Sequence, residues 1–493
     1  MKRLSRSASA VWGVLAVVGL AGAAVPSAAG AKDRAGERSA YVVVLKDGTG
    51  DPAAVSSRLT RRYGAVATAV FRHALRGYGA RLTAAEAAEL RGDPAVRFVS
   101  RQRSYRIVPP TRRVAVAGAH GAAPQVRPAA AGAVACGEWV GAGQCLPEWA
   151  DRVEADGSSA RSGDGHGSVA GVNVAVIDSG IDAGHADLNV RGGADCLSGS
   201  PVVPGASLVV GDPHGTEAAG VVAAKDDGAG IVGMAPGAPL WAVKVFPDDA
   251  SGVGSDEALL CGLDWVVSTR TDGDPGNDIH VVNMSLSSEE DGRADTDDGA
   301  CGASDGDAFH MAICAAVRAG VTPVAAAGND NVDLARRAPA SYQEVLTATA
   351  MADFDGRPGA KAGPDCYGDD FGLFGAADDQ AALEFSNFAR SKGDRRHTVS
   401  APGICVLTTS SDPAAPYAAV DGTSFASPVV AGVAVLCIAY GPCSKSAAAD
   451  NVRSLADDAR RHQRAHPGYG FDGDDDSPVP GRHYGPLVHA ARY

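Results

Sequence analysis

At 493 residues the chain exceeds what a single hydrophobic core usually holds, which excludes a lone small binding module and points to two or three domains. Apolar residues make up 45% and charged ones 21%, an ordinary globular balance that excludes wholesale disorder. The charge is split: residues 1–135 hold 21 Lys and Arg against 7 Asp and Glu, whereas 136–493 hold 23 against 51, and so acidic a body argues against nucleic acid as a partner.

In chain order, Lys2, Arg3 and Arg6 precede an apolar stretch over 8–25, and Ala29-Gly30-Ala31 suits a small-residue cleavage site, so residues 1–31 read as a secretory signal peptide. The stretch is rich in Ala and Gly and barely long enough for a bilayer, and no later run reads as a membrane span. Strands are expected over 41–45, 66–71, 77–82 and 96–100, and helices over 51–63 and 83–91. Asp51 and Pro52 open the first helix, and a Thr83/Glu86 capping box opens the second. The βαββαβ order predicts a small α+β, ferredoxin-like domain over 32–108. Residues 109–135, rich in Pro, Ala, Gly and Arg without periodicity, read as a linker that holds the processing region.

A third unit is expected over 136–493. Continuous apolar runs at 172–177, 240–246, 279–285, 321–326 and 345–350 alternate with helical stretches at 215–224, 255–268, 307–319 and 424–440, which predicts an α/β domain with a mostly parallel sheet. In such sheets ligands collect at the carboxyl ends of strands. All ten cysteines lie in this unit, even in number and without CxxC or zinc-type spacing, so disulfides and export are expected. Short separations suggest the pairs Cys136–Cys145, Cys301–Cys314 and Cys437–Cys443.

Three residues stand at element edges beside glycines. Asp178 ends a strand before Ser179-Gly180, His214 opens a small-residue helix in Pro213-His214-Gly215-Thr216, and Ser424 opens a long helix in Asp421-Gly422-Thr423-Ser424. Singly, each has a bland reading as a cap or a packed side chain. Together they are the set that nucleophilic acyl transfer needs: a hydroxyl, an imidazole to take its proton and a carboxylate to orient the imidazole. The helix start at Ser424 offers unpaired N–H groups for a developing oxyanion, and Asn329, after Ala325-Ala326-Ala327-Gly328, offers a second donor.

With these strings on the page, the chain resembles the subtilisin-like (subtilase) serine proteases. The matching segments are VAVIDSGID around Asp178, HGTEAAGVVAA from His214, GIVGMAPGAPLWAVKV over 230–245, VVNMSLS over 281–287, PVAAAGND over 323–330, DGTSFASPVVAG over 421–432 and a closing segment over 484–491. Residues 41–108 are similar to that family's inhibitor-type propeptide. The resemblance implies a subtilisin-like fold, a peptide or protein substrate, and the chain's own propeptide as inhibitor. It implies Asp178 as orienter, His214 as general base and acid, Ser424 as nucleophile, and Asn329 with the Ser424 N–H as oxyanion hole. Substrate would add as a strand beside Met284, Ser285, Leu286 and Ser287, with Ala325, Ala326, Ala327 and Gly328 lining the specificity pocket.

Three positions depart from the family pattern. Pro213 replaces the Gly before the histidine, Glu217 replaces the second His of HGTH, and Ser287 replaces a Gly in the substrate strand, next to an acidic insertion over 288–308. Glu217 is expected to raise the His214 pKa. These departures keep a rival alive, a catalytically silent scaffold that binds peptides or a partner. Asp178-Ser179-Gly180 also matches the local string of aspartic proteases, but no second copy follows. GxGxxG at 228–233 follows Lys225-Asp226-Asp227, not a strand, which discards a dinucleotide site. No cofactor is required by this chemistry. The Asp runs 272–278, 295–298 and 472–476 could hold structural calcium, yet none has spaced loop ligands and no metal is assigned. A monomer is the default. The basic segment 32–135, with 18 Lys and Arg against 7 Asp and Glu, should bind the acidic body in a salt-dependent way, and maturation is expected to cut between about 108 and 136.

Overall fold

The computed structural model describes residues 36–116, 136, 138–140, 143–202, 211–249, 251–289, 297–359, 362–363 and 377–493. The expected signal peptide, the linker beyond residue 116, Cys366 and part of the 295–298 run lie outside the described residues.

The N-terminal unit comprises β1 (Ser39–Leu45), α1 (Pro52–Tyr63), β2 (Val66–Phe71), β3 (Gly77–Leu82), α2 (Ala84–Arg91) and β4 (Val96–Arg101). Its strands form an antiparallel sheet in the order β2-β3-β1-β4. Asp51 accepts the Ala54 N–H at the start of α1, and both arms of the Thr83/Glu86 capping box are made. One face packs on its own helices around Val43, Leu59, Tyr78 and Leu90. The other face does not end in water: Val42, Val44, Phe71 and Leu75 join a core shared with the body.

That body is built on β7 (Asn173–Asp178), β8 (Val190–Asp195), α3 (His214–Ala223), β9 (Leu240–Lys244), β10 (Val253–Ser255), α4 (Asp256–Thr269), β11 (Ile279–Met284), β12 (Leu286–Ser288), α5 (Ala308–Arg318), β13 (Thr322–Ala326) and β14 (Leu346–Ala352). It continues through β15 (Gln380–Ala381), β16 (Thr398–Pro402), β17 (Val406–Asp412), β18 (Ala415–Asp421), α6 (Thr423–Tyr440) and α7 (Ala448–Ala465). Eight strands form the central sheet, in the order β8-β9-β7-β11-β13-β14 with β15 and β16 both on β14, and every pairing except β14 with β15 is parallel. β7 lies inside it with all six residues buried, which is why its sequence is apolar from Val174 to Ile177, just before Asp178. Helices α3, α6 and α7 contribute to the core on one face, α4 and α5 to the core on the other. Helix α6 is apolar and long enough to cross a bilayer, but 89% of it is buried inside the fold.

The joining segment is held on both sides of the body. β5 (Ser104–Ile107) is the middle strand between β10 and β12, antiparallel to each. β6 (Arg112–Val116) extends the β17–β18 pair as a third, antiparallel strand. The three short-range disulfides expected from spacing are formed, and Cys196–Cys261 adds a fourth across 65 residues, while Cys405 is disulfide-bonded too.

Candidate active site

Asp178 is the last residue of β7, at the carboxyl edge of the sheet, and is fully buried. Its two oxygens lie 2.9 and 3.0 Å from His214 Nδ1, and Oδ1 also accepts the Ser179 N–H. This fixes the tautomer: Nδ1 carries the proton toward Asp178, so Nε2 presents its lone pair. His214 Nε2 is buried with no hydrogen-bond partner. Gly215 is needed for the approach, because a Cβ there would lie 2.2 Å from the Gly180 carbonyl oxygen. Burial works to lower the His214 pKa, but the Asp178, Glu217 and Asp212 carboxylates outweigh it and the net direction is up. With both Asp178 oxygens on an imidazole, the paired carboxylates of an aspartic protease are not built here.

Ser424 occupies the first turn of α6 and is fully buried, next to Phe425, whose ring centroid is 5.5 Å from that of His214. Gly422 precedes it at φ +145°, and a Cβ there would come within 2.9 Å of Asn329 Nδ2. Gly422 has no side chain to cap the helix, and the Phe425 and Ala426 N–H groups turn back to its carbonyl, which leaves the Ser424 N–H among the first-turn amides without an intrahelical acceptor. Pro428 inside α6 has no N–H to give the Ser424 carbonyl four residues earlier. Ser285 Oγ supplies that bond at 2.7 Å. Ser285 Oγ in turn accepts from Asn283 Nδ2 at 3.0 Å, and Ser427 Oγ donates to Asn283 Oδ1 at 2.5 Å, so a buried polar chain anchors the serine backbone to the neighbouring strand end.

Asn329 is set by the same helix start: its Oδ1 accepts the Thr423 N–H at 3.0 Å and the Thr423 hydroxyl at 2.8 Å. That turns Nδ2 outward, to donate to the Pro109 carbonyl at 3.0 Å. The Ser424 hydroxyl donates to the carbonyl of Val108, one residue earlier. The Val108 N–H donates to the Ser285 carbonyl at 3.2 Å, continuing the ladder in which Ile107 faces Leu286 and Arg106 faces Ser287. The cleft beside Leu286–Ser288 therefore holds a peptide strand of the chain itself, which passes Ser424 and leaves through Thr111, whose N–H donates to Asp421. Ser287 takes part in this ladder with its side chain buried. Met284 sits deeper, paired with Ala325 in the central sheet. Ala325 and Ala326 end β13, the Ala327 carbonyl accepts from Asn387 Nδ2 and the Gly328 N–H donates to Thr423 Oγ1.

Sequence reasoning singled out Asp178, His214, Ser424 and Asn329 but missed Asn283, Thr423, Ser427 and the hydroxyl of Ser285. The signal for them was the presence of polar residues inside otherwise apolar, fully buried strings. Of the acidic runs, Asp272, Asp274 and Asp474 spend their oxygens on nearby N–H groups, as turn-forming aspartates do, and do not offer a convergent calcium cage.

The parts amount to a doubly covered, mostly parallel α/β body with an Asp–His pair and a helix-borne serine at the carboxyl edge of its sheet, preceded by a ferredoxin-like domain whose tail lies across them. The subtilase family matches residues 169–469, and the peptidase inhibitor I9 family matches 40–108. The chain belongs to the subtilase family and carries an I9-type N-terminal domain. It is 33% identical over 293 residues to M-protease of Shouchella clausii, covering 59% of this chain and 60% of that protein. Subtilisin Savinase of Lederbergia lenta is 33% identical over 293 residues, with 59% and 84% covered, and subtilisin DY of Bacillus licheniformis 32% over 311 residues, with 62% and 88%. The chain thus spans about three fifths of the length of M-protease but most of the two subtilisins. Fervidolysin of Fervidobacterium pennivorans, a keratinolytic enzyme related to subtilisin, shares the fold at a TM-score of 0.56 and 21% identity, over 93% of this chain and 62% of that one.

Proposed function

We propose that this protein is an exported serine endopeptidase, made as an autoprocessed precursor that its own N-terminal domain inhibits. One observation carries the reading: the Ser424 hydroxyl meets the carbonyl of Val108 in a strand bound along the cleft, beside an Asp178–His214 pair whose outer nitrogen has no partner. In a substrate laid along the same strand, the Ser424 oxygen attacks the carbonyl carbon whose oxygen Asn329 Nδ2 holds, as it holds that of Pro109 here, while His214 Nε2 takes the hydroxyl proton and Asp178 stabilises the resulting imidazolium. Asn329 Nδ2 and the Ser424 N–H, an orphan donor of the first helical turn, receive the oxyanion. His214 returns the proton to the leaving amine, and water releases the acyl group by the same steps in reverse.

The strand at 104–108 supports a peptide as substrate, because the edge of Leu286–Ser288 reads main-chain donors and acceptors first. The I9 match over 40–108 and the shared core support inhibition by the prosegment, with domains at 32–108 and 136–493 and a linker at 109–135. The disulfides support an oxidising destination outside the cytosol. Ser424→Ala in the full chain tests the activity. Turnover of a peptide substrate is expected to fall by about 10⁶, and an unchanged rate would sink the reading.

A further inference from the structure

The strap that crosses Ser424 reads Tyr105-Arg106-Ile107-Val108-Pro109-Pro110-Thr111. Two successive prolines fall where a bond would be cut. The Ser424 hydroxyl donates to the Val108 carbonyl and Asn329 Nδ2 donates to that of Pro109, so these are the carbonyls that the serine and the oxyanion donor reach. The bond after the first is Val108–Pro109, and the bond after the second is Pro109–Pro110. Whichever carbonyl is attacked, the leaving nitrogen belongs to a proline.

Such a nitrogen leaves poorly. After attack, the general acid has to reach the lone pair of the amide nitrogen, and the imidazolium approaches from the serine's side. In a secondary amide the nitrogen carries a small hydrogen and inverts freely, which turns the lone pair toward the acid. A proline nitrogen carries Cδ in place of that hydrogen and is closed in a ring, so the same inversion swings the pyrrolidine against the serine and the imidazole. The hydroxyl itself points the same way. Ser424 gives its hydrogen to the strap, while His214 Nε2, the atom that accepts it in a reaction, is buried without a partner.

On both sides of the prolines the body holds the strap. Before them, Ser104–Ile107 pairs with β10 and β12, with Tyr105 fully buried and Val108 2% exposed. After them, the Thr111 N–H donates to the Asp421 carbonyl at 3.0 Å, Arg112 to Val116 pair in register with Asp421 to Tyr417 of β18, and Arg113 reaches Glu217. An ordinary peptide held on both sides of a serine nucleophile is divided there, and the part beyond the cut departs. Here the two bonds beside the serine are prolyl bonds, so both flanks stay.

From this arrangement we infer that residues 104–116 are a built-in pseudosubstrate, which Pro109 and Pro110 protect from the very site it fills. The inference rests on the protease function proposed above and adds one thing to it. The docked strap is not where the chain processes itself: a maturing cut falls at another bond, and the precursor stays inhibited until the strap is displaced.

The test uses the full chain. The wild-type precursor and a Pro109→Ala/Pro110→Ala double variant, each with and without Ser424→Ala, are incubated and their fragments identified by intact mass. The wild-type chain is expected to release no fragment that ends at Val108 or Pro109. The double variant is expected to cut itself at one of these bonds at least about a hundredfold faster, and Ser424→Ala to remove that cut. Release of such a fragment by the wild-type chain, dependent on Ser424, overturns the pseudosubstrate. So does a double variant that keeps the parent circular dichroism and stays whole at both bonds. Casein hydrolysis by the secreted wild-type product separates the two readings: turnover of casein beside an uncut double variant sinks the strap alone, and absence of both sinks the protease reading and the strap with it. Should the double variant not fold, a synthetic 104–116 peptide decides. Added to the secreted product, it is expected to slow casein hydrolysis and to remain intact, whereas the same peptide with both prolines replaced by alanine is cut after position 108 or 109. Equal hydrolysis of the two peptides, or of neither, overturns the proposal.

Discussion

Arg113, on the strand that leaves the N-terminal domain, reaches a carboxylate at the root of the candidate catalytic helix: its Nη2 donates to Glu217 Oε2 at 2.8 Å and its Nε lies 2.7 Å from Oε1. Glu217 has no exposure, while Arg113 keeps about a third of its side chain in solvent at 35%. Burial pushes the Glu217 carboxyl up, and Arg113 opposes this by stabilising the charge. The pair joins the segment just past the bound strand to the body at a point where the partner left behind is deeply buried. In the full chain carrying Ser424→Ala, Arg113→Ala should therefore lower the melting temperature by about 4 °C. Thermal melts of the two uncleaved chains check this, and equal values would remove the latch.

The same carboxylate acts on the His214 ring. Glu217 is among the groups that raise the His214 pKa, after burial, which lowers it, and Asp178, which raises it most. Glu217→Gln takes away one negative neighbour, so the imidazole should lose its proton at lower pH. The acid limb of kcat/KM for the mature enzyme is expected to move down by about 0.5–1 unit. An unmoved limb would show the two groups to be uncoupled.

Asn329 Nδ2 already touches a carbonyl of the bound strand, at Pro109. A donor aimed at charge that develops only during reaction contributes to kcat more than to binding. Asn329→Ala should lower kcat by about 10²–10³-fold with KM little changed. A loss confined to KM would assign the residue to ground-state binding instead.

Prosegment binding mixes ionic and main-chain contacts. Arg103 pairs with Asp307 at 2.8 Å and Arg106 with Glu289, whereas Asp264 accepts the backbone N–H groups of Arg72, His73 and Ala74. The ionic share should make inhibition by the 36–108 segment weaken with salt, by about tenfold between about 0.05 and about 0.5 M. Titration at rising ionic strength reads this directly, and a flat inhibition constant would mean that the main-chain and apolar contacts do all the holding.

Cys196–Cys261 binds the end of β8 to α4, the helix on which the prosegment rests through Asp256, Glu257 and Asp264. Closing a loop of 65 residues stabilises by about 4 kcal/mol in the chain-entropy account. Replacing both cysteines by alanine should lower urea stability by roughly that amount, and a variant as stable as the parent would place the stabilisation elsewhere.

Much of this protein is legible in local order. Asp51 before Pro52, Thr83 three before Glu86, and the unbroken apolar run up to Asp178 each report a backbone state that nearby atoms enforce, and cysteines 6 to 13 residues apart can meet with little loss of chain freedom. The four strings around Asp178, His214, Asn329 and Ser424 are local in the same sense, since each places its residue at the edge of an element. Helix α7 escaped that reading despite its apolar stripe, because its charged face dominates the composition. What folding alone decided lies between distant segments: Arg113 on Glu217, Cys196 on Cys261, the Ser285 hydroxyl on the Ser424 carbonyl, and His489 stacked on His462 beside Glu154. None of these partners is within helical or hairpin reach of the other along the chain. Their meeting depends on how sheet and helices pack, and packing is a sum over the whole core that no short window of sequence contains.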